Sequence, residues 1–206
     1  MYIRKSLLLY LVCICLQQTN LSAQTGKPLQ LGSNRELFVD QYLIEKLNNV
    51  TQHLYTPRSE GTVLKFDNPW EGNFSGYSTI IKDGTQFRLY YRGVREAKGD
   101  GNETEVTCYA ESSDGINWKK PNLGIYTING TTDNNVVLAH AAPATHNFSP
   151  FLDRNPNAKA TERFKALGGT DRTGLFAFVS ADGIHWKKIQ DSAVYKTGVF
   201  DSQNVS

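Results

Sequence analysis

Nine residues decide what this chain can fold into. Ser112-Ser113-Asp114-Gly115-Ile116-Asn117-Trp118-Lys119-Lys120 returns as Ser180-Ala181-Asp182-Gly183-Ile184-His185-Trp186-Lys187-Lys188, and an Asn-Phe-Ser triplet precedes each copy, at Asn73-Phe74-Ser75 and Asn147-Phe148-Ser149. Two matches in the same order mark duplicated structural units.

Each unit reads as strands. In the first, Tyr77 to Lys82 is rich in β-formers, Asp83-Gly84 is a hairpin signal, Phe87 to Arg92 alternates, and Thr107 to Glu111 leads into Asp114-Gly115. In the second, Ser149 to Leu152, Arg163 to Leu167 and Leu175 to Val179 lead into Asp182-Gly183. A fourth strand after each Asp-Gly-Ile-x-Trp element completes a four-stranded antiparallel meander. Asp and Gly tolerate the positive φ of a tight turn, and the Ile and Trp can fold back on the sheet, so the element is first a structural staple and only second a sugar-stacking platform. No segment after the leader carries a capped 3.6-residue apolar period, which excludes a helical fold.

Such units are the blades of a β-propeller, whose first strands line a central channel. The expected fold is all-β, with about two whole blades, a flanking stretch from Glu36 to Leu54 rich in strand formers, and a third unit opening at Phe200-Asp201-Ser202. A ring needs at least four blades to close. The sequence is therefore expected to be the N-terminal part of a longer propeller, inactive by itself and prone to self-association through its open blade faces.

The first 23 residues stand apart. Arg4-Lys5, an apolar run from Leu7 to Leu16 and Leu21-Ser22-Ala23 read as a secretory signal peptide. About ten apolar residues are too few for the roughly 20 that span a bilayer, so no membrane span is expected. Residues 24–34 read as a linker and 35–206 as the partial propeller. The expected location is secreted, periplasmic or cell-surface. Losing Arg4 and Lys5 leaves basic and acidic residues equal in number, and losing Cys13 and Cys15 leaves Cys108 alone. Balanced charge excludes nucleic acid as partner, and one cysteine excludes an intrachain disulfide and a Cys-rich zinc site. No phosphate loop, nucleophile elbow or His-Glu-x-x-His pair is present, so neither cofactor nor metal is expected, and Gly168-Gly169 ends a strand without opening a helix.

The stretch Arg35-Glu36-Leu37-Phe38-Val39-Asp40-Gln41-Tyr42-Leu43-Ile44, the run Phe87-Arg88-Leu89-Tyr90-Tyr91-Arg92-Gly93, the two Ser-x-Asp-Gly-Ile-x-Trp turns and Phe200-Asp201-Ser202-Gln203-Asn204 resemble secreted bacterial proteins of the arabinanase/levansucrase/invertase-like glycoside hydrolase superfamily. The resemblance implies a five-bladed propeller, a monomer when complete, that cleaves glycosidic bonds of a carbohydrate substrate with carboxylates on its inner strands. One carboxylic acid protonates the leaving oxygen while a carboxylate attacks the anomeric carbon or activates water.

Three carboxylates are candidates for catalysis. Asp153, in Phe151-Leu152-Asp153-Arg154-Asn155-Pro156, is similar to the Arg-Asp-Pro stretch of invertase-like enzymes, although an Asp before Asn-Pro is also a turn former. Asp201 stands where the repeat register places Ser75 and Ser149, on the channel-lining strand. Asp40 ends the alternating Leu37-Phe38-Val39 stretch, and Glu71 is weaker than these. Four residues are candidates for substrate binding: His146 and Asn147 at the head of the second inner strand, Arg92 at the end of its strand as an acid clamp or ion-pair partner, and Trp70 as a stacking surface. The alternatives to a hydrolase are a non-catalytic glycan-binding propeller and a propeller used for protein contacts, because fold does not fix function.

Overall fold

The computed structural model describes residues 29–196. The leader and the expected third unit with Asp201 lie outside the described residues. The chain divides into two compact units, one up to Pro57 and one from Arg58 onward.

In the second unit β1 (Gly76–Asp83), β2 (Gln86–Val94), β3 (Glu105–Ser112) and β4 (Val136–Leu138) form an antiparallel sheet in that order, and β5 (Ser149–Leu152), β6 (Phe164–Thr170), β7 (Gly174–Ser180) and β8 (Lys187–Lys188) form another. These are the two expected meanders. No described helix is long and apolar enough to cross a membrane.

The two repeats diverge after the shared turn. Past Trp186 the second sheet gains β8 at once, whereas past Trp118 the chain makes a single bridge to β3, Glu111 to Lys119, and reaches β4 only at Val136. Pro121 follows Lys120 in the first copy, and a residue without an N–H cannot continue the ladder. The intervening loop turns back at Ile128, whose N–H and C=O both bond Thr131.

Glu36 to Leu54, rich in strand formers, contains no strand. An alternating row becomes a strand only against a pairing edge, and among the described residues none pairs with it. Leu37, Phe38 and Val39 are exposed, and the local order consists of turns, such as Ile44 N–H donating to Gln41 O at 3.0 Å.

The inner part of the first sheet is covered on both faces, so β3 is almost uniformly enclosed while β1 stays largely exposed. One face presents Leu89, Tyr91, Val106, Cys108 and Ala110 to Leu64, Phe66, Trp70 and Trp118. The other presents Tyr90 and Tyr109 to Phe164 and Trp186 of the second sheet. Each fully buried aromatic or aliphatic side chain contributes about 1.5–3 kcal/mol.

Both repeat turns are built alike. Asp114 Oδ1 accepts from the N–H groups of Ile116 and Asn117 at 2.8 and 2.7 Å, and Asp182 Oδ1 from those of Ile184 and His185, both at 2.8 Å. The indole N–H of each Trp then closes the turn on a glycine carbonyl, Trp118 on Gly115 at 3.0 Å and Trp186 on Gly183 at 3.1 Å. This is why the spacing Asp-Gly-x-x-Trp repeats: the carboxylate caps the turn and the ring anchors it in a core.

β1 and β5, the first strands of the two sheets, lie side by side and run the same way. Their leading ends are joined through Arg92, opposite Gly76, whose Nη1 donates to Asn147 Oδ1 at 3.1 Å. Their trailing ends are joined by Arg154 Nη2 to Lys82 O at 3.3 Å and Arg163 Nη2 to Asp83 Oδ1 at 2.6 Å. Such alignment is that of inner strands in neighbouring propeller blades.

Candidate functional site

Polar groups from both sheets converge at the leading end of β1 and β5. The turn that carries them rests on Gly168: a Cβ there would lie 2.2 Å from Ala144 O, so only glycine admits the turn this close to β6. Gly169 N–H then holds His146 O at 2.8 Å. Gly168-Gly169, expected to end a strand, lies in the last part of β6, which runs on to Thr170, and fixes His146 and Asn147 at the head of β5. Asn147 adopts φ of +49°, a left-handed conformation that asparagine tolerates better than most residues.

His146 and Asn147 are both buried, at 5% and 1% exposure. His146 Nδ1 lies 3.1 and 3.0 Å from the two carboxylate oxygens of Glu105, the first residue of β3, which is itself buried. Arg92 Nη1 is 3.4 Å from the same nitrogen. A guanidinium only donates, so with Nδ1–H directed at Glu105 the arginine is a neighbour of the imidazole, and its bond is to Asn147. The guanidinium also lies 4.3 Å over the ring of Tyr77, a stacking contact that holds its plane. Gly101 N–H donates to Glu105 Oε1 at 3.1 Å, and Asp100 completes a group whose ligating atoms, with those of Glu105 and His146, lie within 4.8 Å of one another.

Beside this group opens a recess of about 130 Å³ walled by Phe74, Arg92, Lys98, Asp100 and Glu105. Phe74 is exposed and Arg92 half-buried. The recess therefore offers a donor fork, an acid and an apolar ring together, the mixture that binds a polar ligand with an apolar face.

The structure brings together three of the expected binding residues, Arg92, His146 and Asn147. Trp70 stands elsewhere: it packs on the other face of the first sheet, and its indole N–H donates to Asn135 Oδ1 at 2.7 Å. It walls a second recess, about 200 Å³, with Asn68, Lys120 and Asn134. Below it Glu71 is fully buried, accepting from Tyr91 Oη at 2.5 Å and Lys120 Nζ at 2.8 Å.

Asp153 lies at the trailing end of β5, opposite to His146. Its Oδ2 pairs with Lys165 Nζ at 2.5 Å and its Oδ1 accepts from Asn155 N–H at 2.9 Å, contacts that hold its carboxyl below the usual range. Asp40, in the first unit, is exposed, and its Oδ1 accepts from Tyr42 N–H at 2.9 Å. Asp201 lies outside the described residues.

Sequence reasoning missed Glu105, Asp100 and Tyr77. Glu105 comes into place through the register that pairs Arg92 with Thr107: it stands two residues along β3, on the face that Arg92 presents. Asp100 lies in a loop and carried no signal.

No family model and no curated protein matches the chain. Among solved structures it is similar to a glycosyl hydrolase from Bacteroides ovatus at 18% identity and a TM-score of 0.35, covering 59% of this chain and 32% of that one. A candidate glycoside hydrolase from the same organism matches at 17% identity and a TM-score of 0.39, covering 63% and 37%. Another glycoside hydrolase matches at 13% identity and a TM-score of 0.35, covering 56% and 36%. The chain spans about a third of the length of these solved structures.

Proposed function

We propose that this is a glycoside hydrolase-like protein acting outside the cytoplasm on poly- or oligosaccharides, and that the leading end of β1 and β5 receives the sugar. The observation that carries the reading is the convergence of Arg92 from one sheet and His146-Asn147 from the other, locked by the 3.1 Å bond and flanked by Tyr77. Sugar recognition uses planar hydrogen-bonding side chains around an aromatic or apolar wall, and this is such a set. Cleavage would need two carboxyl groups on one glycosidic bond. Asp201, which the sequence repeat aligns with Ser75 and Ser149, is the first candidate, with Asp153 and Asp40 as further candidates.

A second reading, glycan binding without turnover, is favoured by the engagement of both Asp153 oxygens in the Lys165 pair and the Asn155 turn. A panel of oligosaccharides assayed for both binding and released reducing ends separates them. Loss of turnover with retained binding in Asp201→Ala supports the hydrolase. Binding without turnover in the parent protein supports the binding module, and neither binding nor turnover across the panel contradicts both.

A further inference from the structure

We infer that Asp100, Glu105 and His146 form a divalent-cation site at the mouth of the two sheets. Their donor atoms come from the loop before β3, the first residue of β3 and the turn before β5, so no local motif announces them. All lie within 4.8 Å of one another, which is the span of ligands bonded to one ion at 2.0–2.4 Å. The His146 Nδ1 hydrogen bridges to Glu105 Oε2 at 3.0 Å, which is also the chord between two such bonds at a right angle, so a bound ion would take the place of that proton.

An independent observation comes from two hydroxyls. Thr107 and Thr145 are each 1% exposed, and the Oγ1 of each is buried without a hydrogen-bond partner. Thr107 stands two residues beyond Glu105 on the same face of β3, directly opposite Arg92, and Thr145 adjoins His146. A buried hydroxyl without a partner costs about 1–3 kcal/mol, and a water bound to an ion beside Glu105 would give the Thr107 hydroxyl, on the same face of β3, its partner. Two carboxylates and one imidazole suit a borderline first-row ion, Zn²⁺ or Mn²⁺, better than an all-oxygen Ca²⁺ cage. Asp100 is exposed and opens the site to the recess, where water or a ligand hydroxyl would fill the remaining positions. Arg92, 3.4 Å from Nδ1, opposes the ion by charge and so limits its affinity. The site stands whether or not the protein binds sugar.

The test is calorimetric titration of chelator-treated full chain with ZnCl2, MnCl2 and CaCl2 in the absence of any saccharide. One equivalent of Zn²⁺ or Mn²⁺ is expected to bind, about 10–100-fold more weakly in Glu105→Gln and in Asp100→Asn. Arg92→Gln is expected to tighten binding severalfold, a sign that damage to the fold would not produce. Asp100 is exposed, so Asp100→Asn reads the site even where Glu105→Gln does not fold, with near-ultraviolet circular dichroism as the check. Binding that is absent at millimolar ion, indifferent to Asp100→Asn, or stronger for Ca²⁺ than for both other ions overturns the inference.

Discussion

Tyr90 of β2 donates its phenolic hydrogen to the carbonyl of Gly183, 2.9 Å away in the turn of the other sheet, and this buried bond ties one repeat to the next. Burial and the neighbouring Tyr109 push the Tyr90 phenol well above its ordinary pKa, so it stays a donor at any working pH. Tyr90→Phe leaves the Gly183 carbonyl without this donor and is expected to cost about 1–2 kcal/mol in urea unfolding. Gly183→Ala acts on the same contact from the other side. Its Cβ would lie 2.5 Å from Tyr90 Oη, and its φ of +76° disfavours alanine, for a loss of about 1–3 kcal/mol.

Trp186 meets Tyr90 and Phe148 edge-on, at 6.1 and 5.0 Å between ring centres, and so touches both sheets. Truncation to Ala is expected to cost about 3 kcal/mol, because the ring is only partly buried and the cavity it leaves opens between the sheets. Urea denaturation followed by far-ultraviolet circular dichroism measures it.

The two turn aspartates make the fold acid-sensitive. Hydrogen bonds from the Asn117 backbone and side chain hold the Asp114 carboxyl well below its ordinary value. Burial works against ionisation at Asp182, but the His185 side chain and the backbone N–H groups of His185 and Ile184 outweigh it and hold that carboxyl low as well. A carboxyl lowered on folding contributes stability above its unfolded pKa, and that contribution fades as pH falls below about 4 towards the folded value. Melting temperature is therefore expected to drop below about pH 4. Asp182→Asn should melt lower than the parent at pH 7, and the gap should narrow as pH falls from about 4 to 2.

Glu71 and Lys120 form the buried ion pair beneath Trp70, at 2.8 Å with the carboxylate fully enclosed. Lys120→Met strands that carboxylate and is expected to cost about 3 kcal/mol, while adding Glu71→Gln should restore a large part of it. A double-mutant cycle by urea unfolding reads both outcomes.

The meanders were legible because their signals are local: alternation in β2, Asp-Gly turns, and a Trp at fixed spacing from the capping Asp. Leu37 to Val39 carries the same alternation without becoming a strand, since pairing is decided by a partner edge that a residue pattern does not encode. The gathering of Arg92, His146 and Asn147 was half legible, as the two segments each ended or began an expected strand. That Glu105 would join them depended on the register of β2 with β3 and on the close approach that Gly168 permits, and both are tertiary facts.

Arg92, held in place by the buried Asn147, is proposed to face a sugar, and saturation-transfer NMR of the full chain with neutral and acidic oligosaccharides reads that contact most directly. At least one saccharide is expected to bind, with Arg92→Gln and Asn147→Ala each weakening it tenfold or more and Trp70→Phe, on the opposite face of the first sheet, leaving it unchanged. Binding that survives both of the first two substitutions but is lost with Trp70→Phe, or no binding by any saccharide, would contradict the claim.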